Sequence, residues 1–73
     1  MEQRLLENMA EILEVEAEEL TLDTEFRDDR FCWDSLKGYA VLVMLEEEFD
    51  AQVTVNDFLK ASRIQDLLDF CEQ

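Results

Sequence analysis

A chain of 73 residues with 48% hydrophobic content can build one domain with a small core, and residues 1–73 are expected to form it. Its 20 acidic and 6 basic residues give a formal net charge of −14, which repels nucleic-acid phosphates and argues against DNA or RNA binding. The chain has no histidine, so the usual general base near neutral pH is missing and Ser-His or Cys-His catalytic pairs are excluded.

The composition also indicates the secondary structure and the cellular location. With one glycine and no proline, the chain lacks the residues on which tight β-turns depend, so helices are expected. No apolar run approaches the ~20 residues of a membrane span, and the N-terminus lacks the layout of a signal peptide. We therefore expect a cytoplasmic protein, monomeric because of its charge, in which Cys32 and Cys71 are free thiols and no zinc site forms.

Amphipathic segments follow one another along the chain, beginning with a helix predicted over residues 2–15. Its apolar residues fall at helical spacing: Leu5, Leu6, Met9, Ile12 and Leu13. A long connection over residues 16–33 carries large apolar side chains without a clear period, and these are expected to pack back over the core. They are Leu20, Leu22, Phe26, Phe31 and Trp33.

The second helix is predicted from Ser35 to Phe49, and either Asp34 or Ser35 can cap its start by accepting from a free backbone N–H. Its interior is apolar nearly all round. One stripe suffices for the core, namely Val41, Leu42, Leu45 and Phe49. The opposite stripe is left over, and a helix with a surplus apolar face is either central in a bundle or contacts a partner. This surplus stripe comprises Leu36, Ala40 and Val43.

Two shorter helices complete the chain. The third covers about residues 55–60, with Thr54 as its cap and with Val55, Phe58 and Leu59 expected to point inward. The fourth covers about residues 63–72, and a capping box is expected in which Ser62 and Gln65 each accept from a free N–H. Its inward stripe is Ile64, Leu67, Leu68 and Cys71. The sequence thus predicts a small all-α four-helix bundle of three main helices and one short helix, with a long loop between the first two.

A motif stands at the start of the second helix, where residues 33–36 read Trp-Asp-Ser-Leu and residues 43–50 read Val-Met-Leu-Glu-Glu-Glu-Phe-Asp. Asp-Ser-Leu at this place is the hallmark of the acyl carrier protein family, including its peptidyl and aryl carrier relatives. In the free-standing type II members an acidic Glu-Glu-Glu-Phe stretch ends the same helix. The chain resembles this family over essentially its whole length, because the order of helix, long loop, motif helix, short helix and final helix also agrees.

The resemblance implies a non-catalytic carrier with a covalent modification and defined partners. Ser35 would carry a 4'-phosphopantetheine arm, whose thiol holds acyl or related intermediates as thioesters in fatty-acid, polyketide or specialised biosynthesis. Asp34 and Leu36 would be recognised by a phosphopantetheinyl transferase. Glu46 and Glu47 would meet the basic docking patches of acyl-loading and acyl-processing enzymes.

Two positions depart from the family pattern. The family usually has an acidic residue two positions after the serine and another near five positions after it, where this chain has Lys37 and Ala40. Together with Val43, these residues make the expected docking face less acidic near the serine and more apolar. This departure favours a specialised pathway with its own partner enzymes.

The chemistry of Ser35 agrees with these implications. A serine without a neighbouring base is a poor nucleophile, but it can accept a group when another enzyme supplies the activation. The product would be a phosphodiester at a helix N-terminus, where free N–H groups and the helix dipole favour an anion. The alternative is a helical protein-interaction adaptor that keeps the fold without modification and uses Ser35 only as a cap.

Three neighbours of the motif have less specific expectations. Gly38 either leaves room for the arm or for an acyl chain entering the bundle, or is a tolerated weak helix residue. Trp33 is expected to be a packing residue. Cys32 is expected to be a partly buried, inert thiol.

Overall fold

The computed structural model describes residues 1–72 and contains four α-helices. Their bounds are Glu2–Leu13 for α1, Ser35–Phe49 for α2, Val55–Lys60 for α3 and Ile64–Cys71 for α4. Two short 3₁₀ helices, Ala17–Glu19 and Asp29–Phe31, lie between α1 and α2. Over residues 1–72 the only extended pairing is an isolated bridge between Glu25 and Arg63, so the predicted all-α bundle is confirmed.

The first helix ends at Leu13, two residues earlier than its periodicity predicted. Glu14 adopts the left-handed backbone conformation with φ of 62°, and its N–H donates to the carbonyl of Ala10. Val15 donates to the same carbonyl at 3.0 Å. A left-handed residue just past the last turn is a common helix ending, and here it turns the chain so that Val15 packs on the core from a loop.

The connection between α1 and α2 lies over the core, as its apolar residues predicted. Its buried side chains are Leu20, Phe26 and Phe31, with Leu22 and Trp33 half-buried. Two backbone hydrogen bonds fasten it to the start of α4. Ile64 N donates to Thr24 O at 3.1 Å, and Gln65 N donates to Leu22 O at 2.8 Å. The connection is therefore held by the last helix as well as by its own apolar groups.

All four helices and the connection share one apolar core. Its large side chains with the least exposed surface are Leu5, Met9, Phe26, Val41, Leu45, Ile64 and Leu67. On α2 the buried stripe differs slightly from the prediction, because Met44 is buried whereas Leu42 and Phe49 are only half-buried. Cys71 was predicted to be part of the core, and it is half-buried against it.

The orientation of α3 corrects the prediction made from its sequence. Thr54 does cap the helix, since its Oγ1 accepts from the N–H of Asp57 at 3.1 Å, and Phe58 is buried. Val55 and Leu59, however, are 60% and 63% exposed. A surface helix of six residues has only a narrow side in contact with the core. Val55 and Leu59 are four positions apart and therefore share one side of the helix, which here faces the solvent.

The cap of α4 also differs from the predicted one. Asp66, rather than Gln65, reaches back: its Oδ2 accepts from the N–H groups of Ser62 at 2.9 Å and Arg63 at 3.1 Å. The side chain of Gln65 donates to Asp69 instead. The two backbone hydrogen bonds hold the pKa of Asp66 below its usual range. The box was predicted one residue too early, because the helix begins at Ile64 and Asp66 occupies its third position.

Candidate functional site

The start of α2 is fixed by Asp34. Its backbone is extended, with φ of −148° and ψ of −179°, and its Oδ1 accepts from the N–H of Lys37 at 2.9 Å. The sequence allowed either Asp34 or Ser35 as the cap, and the structure selects Asp34. Ser35 is then the first helical residue, and its side chain is not needed to hold the helix.

Ser35 is an exposed serine whose hydroxyl makes no hydrogen bond within residues 1–72. The first hydrogen bond internal to α2 runs from Gly38 N to Asp34 O at 3.0 Å, so the N–H groups of Ser35 and Leu36 precede it. These groups and the helix dipole give this end of α2 a partial positive charge. The described residues hold no cluster of potential metal ligands. The site therefore offers an accessible hydroxyl in an anion-favouring position, without a base to activate it.

Lys37 is turned toward the protein rather than toward a partner. Its Nζ donates to the backbone oxygen of Cys32 at 3.1 Å and lies 3.8 Å from a carboxylate oxygen of Glu14. Only 16% of its side-chain surface is exposed. Lys37 thus joins the loop before α2 to the end of α1, which stiffens the segment that presents Ser35.

The surplus apolar stripe of α2 is partly covered by α1. Ala40 and Val43 are half-buried and, with Glu47, line one side of an open groove of about 540 Å³ between the two helices. Ile12 lies on its opposite side. Leu36 lies on the same side of α2 as Ala40, one turn closer to its start, and is 79% exposed. The structure thus places one of the predicted apolar contacts fully in solvent and the other two in a groove.

The acidic end of α2 is exposed throughout. Glu48 forms an ion pair with Arg4 of α1, with 3.1 Å between Nη2 and Oε1. Glu46 and Glu47 make no ion pair with any residue that the structure describes. Among the three glutamates, these two are therefore available to cationic groups of another molecule.

An aromatic cluster, formed by Phe26, Trp33 and Phe58, packs beneath the start of α2. The ring centroids of Phe26 and Trp33 are 5.1 Å apart in an edge-to-face arrangement, and those of Phe26 and Phe58 are 6.0 Å apart. Trp33 and Phe58 are 6.4 Å apart. Trp33 is thus the packing residue that the sequence predicted, and it links the motif to the core.

Arg27 is the residue of this region that sequence reasoning missed. Its guanidinium carbon lies 5.0, 5.3 and 4.8 Å from the ring centroids of Phe26, Trp33 and Phe58. It also donates to the carbonyls of Phe58 at 2.6 Å and Ala61 at 2.8 Å. Burial lowers the pKa of Arg27. The only sequence signal was a single arginine between apolar and acidic loop residues, which does not distinguish an internal clamp from a solvated charge.

The other two neighbours of the motif, Gly38 and Cys32, differ in their exposure to solvent. Gly38 is buried, and a Cβ built on it would lie 3.5 Å from Trp33 Cζ2 and 3.7 Å from Phe58 Cε2. Cys32 is exposed and not partly buried as predicted, because it takes a left-handed conformation with φ of 53° at the end of the preceding 3₁₀ helix. The loop therefore turns at Cys32 and leaves its thiol outside.

A carrier domain that presents one serine at a helix start is the class of protein that this fold and site define. The profile of the family described as "phosphopantetheine attachment site" matches residues 3–71. A similar protein is an acyl carrier protein of Syntrophus aciditrophicus (strain SB), 33% identical over 70 residues that cover 96% of this chain and 86% of the relative. The chain belongs to the phosphopantetheine attachment family.

These matches confirm the family, the carrier role and the prosthetic group that the motif predicted. Carriers of this family interact with the transferase that installs the arm and with acyl-processing enzymes. The site fits a phosphodiester, because Ser35 is exposed and lies where helix N–H groups favour an anion. Of the described helices, none is both long enough and apolar enough to cross a membrane.

Proposed function

We propose that this chain is an acyl carrier protein that holds thioester-linked intermediates on a phosphopantetheine arm attached to Ser35. The observation that carries the proposal is the pairing of two neighbouring residues: Asp34 caps α2, and Ser35 is left exposed as the first helical residue. The arm supplies the thiol on which acyl groups are carried. The chain supplies a rigid, accessible point of attachment.

The attachment chemistry requires a second protein. In the transfer, Ser35 Oγ forms a bond to the phosphorus next to pantetheine in coenzyme A, the pyrophosphate bond breaks, and adenosine bisphosphate leaves. The hydroxyl proton passes to a base of the transferase, because this chain has no histidine to accept it. A phosphodiester on Ser35 would be attached at the start of α2, where the free N–H groups and the helix dipole favour a negative charge.

The proposed contacts with partner enzymes divide into two groups. Asp34 and Leu36 flank the serine, and they are proposed to be recognised by the transferase; Leu36 offers an apolar contact that is 79% exposed. Glu46 and Glu47 are proposed to meet basic patches of acyl-loading and acyl-processing enzymes, because neither is paired internally. Ala40 and Val43 add apolar surface to that face, whereas Lys37 contributes by stiffening the loop.

The proposal also covers the oligomeric state, the cellular location and the pathway of the carrier. A net charge of −14 favours a monomer, since two copies would repel each other, and a cytoplasmic location agrees with the composition. Lys37 and Ala40 replace acidic residues of the usual family pattern, and this favours a specialised pathway. Housekeeping fatty-acid enzymes are then expected to acylate the loaded carrier poorly, and efficient acylation would refute the specialised pathway.

Mass spectrometry tests the attachment directly. The protein is incubated with coenzyme A and a promiscuous phosphopantetheinyl transferase, and a mass gain of one phosphopantetheine is expected. Ser35→Ala should abolish the gain. Ser62→Ala is the matched control, because Ser62 is the chain's only other serine and is also exposed. No gain in the wild type would favour the adaptor instead, and a gain that survives Ser35→Ala would contradict attachment at Ser35.

A further inference from the structure

The space beside Gly38 is filled by two aromatic rings. Gly38 lies three residues after Ser35, so the two positions are adjacent on the surface of α2. A Cβ on Gly38 would already be at contact distance from Trp33 and Phe58, at 3.5 and 3.7 Å. The carbon atoms of a cargo are not bonded to Gly38, so each of them must stay about 3.5–4.0 Å from the Cα of Gly38. This is farther from the Cα than a Cβ would be, and therefore closer to the two rings. An alkyl chain in this direction would therefore overlap the rings.

The two rings cannot move independently of the rest of the fold. Trp33 packs edge-to-face on Phe26, which has no exposed surface, and Phe26 also stacks on Phe58 with an interplanar angle of 22°. Moving either Trp33 or Phe58 away from Gly38 breaks contacts with a ring that is fixed in the core. The aromatic cluster is thus a closed group of three rings rather than a flexible flap.

Arg27 fastens this closed arrangement from the other side. Its two hydrogen bonds go to Phe58 O in α3 and to Ala61 O just after the helix, and its guanidinium lies 4.8–5.3 Å from the centres of all three rings. To displace α3 from the long loop, both hydrogen bonds and the cation–π contact with Phe58 must be given up together. Arg27 of the long loop therefore fixes the position of α3, the helix that carries Phe58.

From these contacts we infer that Phe26, Trp33 and Phe58, held by Arg27, close the bundle between α2 and α3 beside Ser35 and keep a thioester-bound cargo out of the core of the bundle. This inference rests on the proposed attachment of the arm to Ser35. The open groove between α1 and α2 can cover only one side of a long alkyl chain, so a chain kept out of the core stays partly hydrated. The carrier therefore suits short or polar acyl groups better than long alkyl groups.

Two loaded forms test the inference in the wild-type protein. The transferase is supplied with acetyl-coenzyme A or with octanoyl-coenzyme A, and mass spectrometry verifies each product. Methyl NMR signals of Val41 and Ile64, both in the core, should be the same in the two forms. The melting temperatures should agree within about 1 °C, because no additional apolar surface is buried in the core. Octanoyl-specific shifts of these methyl groups, or a higher melting temperature with octanoyl, would overturn the inference.

Variants then test whether the named residues form the barrier. Trp33→Ala and, as a second variant in case the first does not fold, Arg27→Met should let the octanoyl group shift the core methyl signals. Tyr39→Ala is the matched control, because it removes an aromatic ring that is 70% exposed and outside the cluster. If a folded Trp33→Ala or Arg27→Met still keeps the octanoyl group outside, the cluster is not the barrier and the inference is wrong.

The same experiments separate this inference from the proposed function. Failure of both acyl-coenzyme A donors and of coenzyme A itself to modify the chain would contradict the carrier function. A fully loaded protein with the octanoyl group inside the bundle would leave the carrier function intact and contradict only the external cargo.

Discussion

Two adjacent residues have different roles at the site: one caps α2 and the other presents a free hydroxyl. Asp34 holds the helix by accepting from Lys37 N, and Ser35, one residue later, keeps a free and exposed hydroxyl. If Ser35 were the cap, its hydroxyl would be engaged by a backbone N–H and withdrawn from an incoming phosphate. The order Asp-Ser is therefore explained by helix capping alone: the aspartate caps α2, and the serine that follows keeps its hydroxyl free.

Substitutions of Asp34 should separate its structural role from recognition by the transferase. Asp34→Asn keeps an oxygen that caps α2, so the free energy of unfolding should change little. Asp34→Ala removes the cap and should lower the free energy of unfolding by about 1 kcal/mol. Urea denaturation measures both variants.

Recognition is then measured as kcat/KM for transfer of the arm. If the carboxylate charge is recognised, Asp34→Asn should slow the transfer although the fold is intact. Equal transfer rates for wild type and Asp34→Asn would restrict Asp34 to the capping role.

At the scale of the element, α3 depends on a contact from outside itself. Six residues are too few for an independently stable helix. Arg27 binds two carbonyls at the C-terminal end of α3, where a cation also complements the helix dipole. The long loop therefore stabilises the short helix that follows α2.

Removal of the contacts between Arg27 and α3 should destabilise the folded protein. Arg27→Met should lower the free energy of unfolding by about 2 kcal/mol, because charged hydrogen bonds to part-buried carbonyls are lost. Amide hydrogen exchange in α3 should accelerate more than in α1. Arg30→Met is the matched control, since Arg30 is exposed and stacks only on Phe31 at 4.5 Å. Equal losses in the two variants would contradict a specific role for Arg27.

The N-terminus of α4 gives a prediction for pH. The pKa of Asp66 is lowered in the folded protein by its backbone hydrogen bonds, so folding favours the ionised carboxylate. This contribution is fully present above the unfolded pKa of about 3.9 and is lost as the pH falls through the lower folded pKa.

Asp66→Asn should therefore be less stable than the wild type at pH 7, and the difference should shrink as the pH falls below about 4. Thermal unfolding at a series of pH values measures it. Asp69→Asn is a suitable control, because Asp69 accepts only from the exposed side chain of Gln65. A difference between wild type and Asp66→Asn that stays constant with pH would contradict the assignment.

At the scale of the whole molecule, the charge of −14 acts against the compact state. Only two ion pairs, Arg4–Glu48 and Lys37–Glu14, form among residues 1–72, so most carboxylates have no cationic partner. The same excess charge would steer a basic surface toward the carrier, as the proposed docking requires. The surface thus favours association with partners at the expense of stability.

Added salt should therefore raise the melting temperature. Ionic strength of about 0.15 M shortens the screening length to ~8 Å and weakens repulsion between exposed carboxylates. Differential scanning calorimetry in NaCl measures the effect, and KCl should give the same rise because screening does not depend on the cation. A melting temperature that does not respond to either salt would show that self-repulsion is unimportant here.

Much of this architecture could be predicted from local pattern. The bounds of α2 and the cap at Thr54 follow from residues within a few positions of each other. The predictions that failed concern helix ends, the cap of α4, the exposure of Cys32 and the direction of side chains in a short helix. Val55 and Leu59 were placed inward because six residues do not contain enough turns to define one face.

The sequence by itself determined the all-α class, the acidic surface and the serine at the start of α2, because helix periodicity, charge and capping are local properties. The choice of Asp34 rather than Ser35 as the cap is also local, but both residues can cap a helix, so the sequence left it open. Only the tertiary structure decided that Lys37 faces the end of α1 and that Arg27 closes the aromatic cluster. These outcomes depend on groups up to 34 positions apart in the chain, as between Arg27 and Ala61. No local pattern records such contacts, since they form only when the loop and the helices pack together.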